Sequence, residues 1–184
     1  MTPTVIYTIG HSNRSASELI VQLQHHAIQR LVDIRRHPGS RRLPQFNRGN
    51  LQQALQQDGI SYDWQGQVLG GRLQNTTDNE SFSGLADDAL RGFAAHMNSS
   101  EFRDTINALI QACKSERCVI LCAEKHPAHC HRRLISDYLT LNGHEVRHII
   151  EAGTLQPHAV DTTARLSAGI IRYDRGTQPR LDLD

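Results

Sequence analysis

The sequence predicts an α/β fold, a three-layer sandwich with a mostly parallel sheet. Three observations carry this. Short apolar, β-branched runs recur at Val5 to Ile9, Leu31 to Ile34, Cys118 to Cys122 and Val146 to Ile150. Between them lie segments whose apolar residues fall at helical spacing. The alternation of the two along the chain calls for parallel strands with helices on both faces.

Each element follows from local chemistry. Val5 to Ile9 is a buried strand that ends at Gly10. Ser15 and Glu18 form a capping box for a helix carrying Leu19, Ile20, Leu23 and Ala27. Leu31 to Ile34 is the second strand, ending at Arg35-Arg36. Pro38, Gly39 and Pro44 forbid regular structure in the next stretch, so it is a loop. Asn50 is placed to cap a helix running to Gly59, with Leu51, Ala54 and Leu55 inward. Ile60 to Trp64 alternates like a short strand.

Residues 65 to 87 are rich in Gly, Asn, Thr, Ser and Asp. They read as an extended loop with a turn at Leu69-Gly70-Gly71, and a loop of that length in a compact domain is usually functional or mobile. Asp87 or Asp88 starts a helix with Leu90, Phe93, Ala94 and Met97 inside. Ser99 or Ser100 caps another, carrying Phe102, Ile106, Leu109, Ile110 and Cys113. Cys118 to Cys122 is the clearest buried strand. A helix is expected from about Cys130, with Leu134, Ile135, Tyr138 and Leu139 inward and Gly143 just past its end. Val146 to Ile150 closes the pattern. The expected division is therefore an α/β domain over residues 1–153. Residues 154–184 form a C-terminal tail, loosely packed or adding an edge element.

The bulk numbers fit such a fold. A chain of 184 residues, 38% hydrophobic and 21% charged, has the size and composition of one soluble globular domain. No run approaches the roughly 18 apolar residues of a membrane span. The start lacks a basic stretch followed by an apolar one, which predicts no secretion signal, a cytoplasmic location and reduced thiols at all four cysteines. Net charge is +1, but residues 30–48 hold six arginines against Asp33 alone. Such a basic loop is where an anion binds, or it is a solvated loop kept charged for solubility.

Right-handed crossovers place the C-terminal ends of parallel strands on one edge, and ligands bind there. The plan is Rossmann-like without the dinucleotide fingerprint. At that edge the sequence puts Gly10-His11-Ser12, then Arg35-Arg36 with Ser40 further on, then Cys122-Ala123-Glu124, and finally Cys130-His131-Arg132. Arg35, Arg132, Ser12, Ser40 and His131 are candidates to hold an anionic substrate. Glu124 and His11 are candidates for general acid or base, and Cys130 or Cys122 for the nucleophile. A thiol near a helix start beside His131 and Arg132 tends to be acidic and reactive. Cys113 and Cys118 read as core packing. Glu124 also fits a plain partner of Arg35 or a loop cap, Arg132 a surface ion pair, His131 a ring bound to a backbone carbonyl, and His11 a helix cap or a residue that holds the turn.

The spacing argues against a structural metal. Cys122, His126, His129, Cys130 and His131 supply nitrogen and sulfur, but without Cys-x-x-Cys or another zinc spacing, and adjacent Cys130 and His131 ligate awkwardly on a helix. No Gly-x-x-x-x-Gly-Lys-Ser/Thr loop and no Gly-x-Ser-x-Gly elbow is present. Six residues after Cys122 stands Ala128, and six after Cys130 stands Ser136, so the arginine of a phosphatase-type cysteine loop is missing.

Thr8 to Ser12, Asp33-Ile34-Arg35 with Pro38, Ser40 and Phe46, Leu69-Gly70-Gly71, Leu121 to Glu124, Pro127, Cys130-His131-Arg132 and Val146 to Ile149 occur together here. In this combination the chain resembles the domain of unknown function 488 family over about residues 4–150. The resemblance supports the fold and implies that Cys122, Glu124, Cys130, His131 and Arg132 are more than core filling. It supplies no reaction and no cofactor. The leading expectation is an enzyme acting on a nucleotide, nucleic acid or other anionic small molecule, with no membrane. The alternatives are a nucleic-acid-binding module using the arginine loop with Phe46 and Trp64 for stacking, and a thiol redox or metal sensor on Cys122 and Cys130.

Overall fold

The structure, a computed structural model, describes residues 3–71, 73, 80–151 and 153–175. In chain order it holds β1 (Val5–Gly10), α1 (Ala16–His25), β2 (Arg30–Asp33), α2 (Arg48–Gln57), β3 (Ser61–Trp64) and α3 (Gly66–Leu69). Then come α4 (Asp88–His96), α5 (Ser100–Ser115), β4 (Cys118–Cys122), α6 (Arg132–Leu141), β5 (Glu145–Glu151), β6 (Thr154–Pro157), β7 (Ala164–Ser167) and β8 (Ile170–Tyr173). Short 3-10 turns stand at Pro44–Phe46, Glu80–Phe82 and Pro127–His129. No helix among the described residues is long and apolar enough to cross a membrane.

The fold is the α/β sandwich that the alternation requires. One sheet runs β3-β2-β4-β1-β5-β6. Its first five strands are mutually parallel, and β6 joins β5 antiparallel at the edge. Side chains alternate across the sheet. Ile6, Val32, Ile34, Ile120 and Cys122 therefore enter one core with residues of α4, α5 and α6. Tyr7, Ile9, Leu31, Val119 and Leu121 enter the other with residues of α1 and α2. From β1 the chain crosses over β4 to reach β2, while from β4 it crosses β1 to reach β5. The two crossovers leave in opposite directions on opposite faces, so the switch point lies between the C-terminal ends of β1 and β4.

Local signals set most helix starts. The Ser15 hydroxyl accepts from Glu18 N–H at 3.2 Å, and the Glu18 carboxylate accepts from Ser15 N–H at 2.6 Å. Asp87 and Ser99 cap α4 and α5 through Leu90 N–H and Phe102 N–H.

Three boundaries differ from expectation. The helix expected from Asn50 starts at Arg48 after Asn47, whose side chain is engaged elsewhere, accepting Ser40 N–H at 2.6 Å to close the arginine loop. The helix expected from Cys130 starts at Arg132, because Pro127 begins a separate 3-10 turn and leaves Cys130 extended, at φ −139° and ψ 144°. The stretch read as one loop over 65–87 contains α3 and a 3-10 turn, with Leu69, Phe82 and Leu85 buried. Positions 72 and 74–79 of that stretch lie outside the described residues, as do 176–184 of the tail.

Beyond Gly153 the chain adds β6 to the sheet edge and then the β7–β8 hairpin, whose Ala164, Ile171 and Tyr173 are buried in the α6-side core. A polar chain fastens it. Asp137 of α6 accepts from His158 Nε2 at 2.8 Å, from Asp161 N–H at 2.9 Å and from Tyr173 Oη at 2.9 Å. His158 Nδ1 meets His148 Nε2 at 2.9 Å, and His148 Nδ1 meets Thr8 Oγ1 at 2.6 Å. All these groups are buried or half-buried, so each needs the partner it has.

Candidate functional site

The site begins where β1 and β4 end side by side. Their ladder continues past the strands: His11 N–H donates to Cys122 O at 3.0 Å and Ser12 N–H to Ala123 O at 2.8 Å. The two chains cross so closely that a β-carbon on Gly10 would stand 1.7 Å from Glu124 O, which only glycine permits. Arg132 is wholly buried; its guanidinium donates to Glu124 O and, at 2.8 Å, to Lys125 O. Arg14 spans Gly10 O and Ile150 O in the same manner. These cations brace the strand-end loops by filling main-chain acceptors, so Arg132 faces backbone and not the open edge.

On the α6 side the edge carries a thiol–imidazole cluster. Cys122 Sγ lies 3.9 Å and Cys130 Sγ 3.8 Å from His131 Nδ1. The other ring nitrogen, Nε2, lies 2.9 Å from Leu69 O and must carry the hydrogen, because a carbonyl can only accept. In the neutral ring, Nδ1 is then the lone pair, and it faces two sulfurs. The ring is held on two further sides. Phe93 packs edge-on at 5.0 Å between centroids, and Gly71 backs so closely that a β-carbon there would lie 2.7 Å from His131 Cγ.

The two thiols are unequal. Cys130 is brought down to about 7, first by a hydrogen bond from the Cys122 thiol, with the Arg132 charge and its N–H (3.4 Å from Sγ) assisting against burial. Cys122 is pushed up, first by its place as donor to Cys130 and then by burial. The proton thus stays on Cys122 while Cys130 ionises. Sγ of both cysteines and a ring nitrogen of His131 lie within 4.8 Å of one another, so these three can also offer donors to a soft metal. Adjacent Cys130 and His131 converge because Cys130 is extended and not helical, contrary to the steric objection raised from sequence.

On the opposite face a second cluster forms. His11 stacks on Phe46 at 4.3 Å between centroids and donates from Nδ1 to Ser12 O at 2.8 Å. Burial brings His11 down to about 4, the Ser12 bond opposing this and the Arg35 charge adding to it. Arg35 is a near neighbour but is held by buried Asp33, through Nε at 2.9 Å and Nη2 at 2.6 Å. Tyr62 Oη donates to the same carboxylate at 2.7 Å. Ser12 takes a left-handed turn at φ 53° beside it.

The sheet edge therefore divides the expected residues into two groups, Cys122-Cys130-His131 and His11-Arg35. Glu124 stands exposed on the loop between them, and its charge acts on Cys130. Ser40 belongs to neither group; its hydroxyl accepts the N–H groups of Arg42 and Leu43 and shapes the arginine loop. The stacking surfaces expected for nucleic acid are occupied: Phe46 is 1% exposed under His11, and the Arg48 guanidinium covers the Trp64 ring at 4.5 Å.

The contacts of several residues were not legible from the sequence. Asp33 neutralises Arg35 and is itself held by the Tyr62 hydroxyl, while Leu69, Gly71 and Phe93 fix the His131 ring. Arg36 follows buried Ile34 onto the thiol face, where its Nη2 reaches Gln67 O and Gly70 O at 3.5 Å. The glycine pair at 70–71 was a usable signal, since a paired glycine often marks close backbone approach.

A family model described as "Domain of unknown function DUF488" matches residues 15–139. That span includes Cys122, Glu124, Cys130, His131 and Arg132. No curated protein and no solved structure matches the chain.

Proposed function

The chain belongs to the domain of unknown function DUF488 family, and within that family we propose that it is a thiol-dependent enzyme, a hydrolase or transferase acting on an anionic substrate. The observation that carries this is the fixed imidazole: His131 Nδ1 faces Cys130 Sγ at 3.8 Å while Nε2 is tied to Leu69 O. This is the arrangement of nucleophile, base and orienting group that activates a thiol. Cys130 gives its proton to His131, and the sulfur attacks the electrophilic carbon or phosphorus of the substrate. The leaving group departs with the proton that His131 had taken, and the Glu124 carboxylate serves as the base for the incoming water or acceptor. Water or an acceptor then breaks the bond to sulfur and restores the thiol. Cys122 steadies the anionic sulfur by its hydrogen bond.

The anionic substrate, a nucleotide, nucleic acid or other small anion, is supported by the arginine loop. Arg41, Arg42 and Arg48 are exposed there and Arg36 reaches the thiol face. In this reading Arg35 and Ser12 shape the neighbouring rim, and His11, neutral at physiological pH, is a hydrogen-bonding group there.

Competitive labelling with iodoacetamide tests the reading. Cys130 should alkylate first, with a midpoint near the pKa of about 7, and His131→Ala should slow it. A panel of nucleotides and oligonucleotides then seeks protection of Cys130 and turnover. Turnover unchanged in both Glu124→Gln and Cys130→Ser, or a Cys130 no more reactive than a free thiol, refutes the reading.

A further inference from the structure

The reaction above gives Cys122 no covalent part, yet its sulfur shares one imidazole nitrogen with Cys130. We infer that the Cys122–Cys130 pair has a second activity, the reduction of a small hydroperoxide, with Cys130 taking the oxygen and Cys122 closing an intramolecular disulfide. The inference rests on the proposed reading in one respect, that the Cys130 sulfur acts as a nucleophile.

Three features support it. The two sulfurs and the His131 nitrogen lie within 4.8 Å of one another, so the sulfurs need to approach by under about 3 Å to reach bonding distance. Their supports differ in freedom. Cys122 ends a central strand paired on both sides, whereas Cys130 sits in extended chain between a 3-10 turn and α6. Movement therefore falls to the Cys130 segment while Cys122 stays as a fixed receiver. Access favours a small oxidant: Cys122 is 6% and Cys130 5% exposed, so hydrogen peroxide or a small alkyl hydroperoxide reaches the sulfurs with less opening of the Cys130 segment than the larger substrate of the reaction above requires.

The chemistry balances. The Cys130 thiolate attacks the terminal peroxide oxygen, and the O–O bond breaks. The alkoxide or hydroxide leaves with the proton that His131 Nδ1 had taken from Cys130, leaving a sulfenic acid. Cys122 then passes its proton to Nδ1 and attacks the Cys130 sulfur. The S–O bond breaks, hydroxide collects that proton, and water leaves. Two thiols are oxidised to a disulfide as the peroxide is reduced to alcohol and water. An external thiol reductant returns the pair to its starting state.

A built-in control exists. Cys113 and Cys118 are also neighbours and likewise unequal, Cys113 pushed up and Cys118 brought down by the hydrogen bond between them, but Arg30 and Glu116 flank them in place of an imidazole that could take and return the proton. They should stay reduced.

The test uses the full chain, reduced and then freed of reductant, with one equivalent of hydrogen peroxide at pH 7. Expected is loss of two of the four thiols, at least about tenfold faster than free cysteine under the same conditions. Peptide mapping should place the cross-link between Cys122 and Cys130, and dithiothreitol should reverse it. Cys122→Ser, or Cys122→Ala should the first fold poorly, should stop at a Cys130 sulfenic acid trapped by dimedone. A cross-link between Cys113 and Cys118, a disulfide between chains, oxidation no faster than free cysteine, or a bound metal that holds both sulfurs inert overturns the inference. Iodoacetamide labelling of the same preparation separates the two claims. A Cys130 that labels readily yet forms no disulfide removes the peroxide activity alone, and a Cys130 inert to both reagents removes both.

Discussion

Replacing Gly71 by alanine tests how tightly the His131 ring is fixed, and the cost follows from distances. The new β-carbon would stand 2.7 Å from His131 Cγ and 2.8 Å from Nδ1. Ordinary carbon contact begins near 3.4 to 3.5 Å, so the ring has to retreat by about 0.7 Å. The Nε2 bond to Leu69 O, now 2.9 Å, then stretches past useful length. Losing it costs about 1 kcal/mol, and forcing a methyl into a filled contact adds about 1–3 kcal/mol. The sum, about 2–4 kcal/mol, corresponds to a fall in Tm of roughly 5–15 °C for a chain of this size. Chemistry should change as well. With the imidazole displaced, Cys130 loses the proton acceptor that now stands 3.8 Å from its sulfur, and its alkylation at pH 7 should slow. Calorimetry reads the first effect, and mapped iodoacetamide kinetics read the second. Gly49→Ala is the control: nothing lies within 4 Å of its β-carbon, and the site is within α2. Alanine there should be neutral or stabilise by up to about 1 kcal/mol. A Gly71→Ala protein with unchanged Tm and unchanged Cys130 reactivity would refute the reasoning.

Two further outcomes are expected. Burial brings His11 down to about 4 and His148 to about 3. Each ring takes a proton near 6.5 once unfolded, so the stability from keeping it neutral is complete above that value and declines as pH falls toward the folded pKa. By pH 5 the two together should have lost about 4 kcal/mol, seen as a lower urea midpoint than at pH 7.5. His11→Gln should shrink this difference, and an identical pH response in the variant would count against a buried neutral ring. Asp137→Asn puts an amide donor where His158, Tyr173 and Asp161 N–H all donate. At least one buried donor then lacks an acceptor, at about 2–4 kcal/mol. The β7–β8 hairpin should become cleavable by trypsin at Arg165, and wild-type cleavage kinetics would show that Asp137 does not fasten it.

What the sequence by itself determined were the features written within a few residues. Ser15 and Glu18 can form their capping box without knowing the rest of the chain, and the apolar runs of β1, β2 and β4 mark themselves by composition. Alternation of such elements is enough to require a parallel sheet with a ligand edge. Tertiary structure decided which residues meet there. Side chains in a strand change face at every step, so the end of β1 sends His11 toward Phe46 while Cys122 goes toward α6, although their backbones are hydrogen-bonded. Cys122, Cys130, Leu69, Gly71 and Phe93 converge on one imidazole only after the chain has crossed the sheet more than once. The same holds for Asp137, His158, His148 and Thr8, which lie at distant points of the chain. Hydrogen bonds and apolar period act over one or two turns, whereas the surroundings of a charge or a thiol are set by whatever the folded chain brings to it.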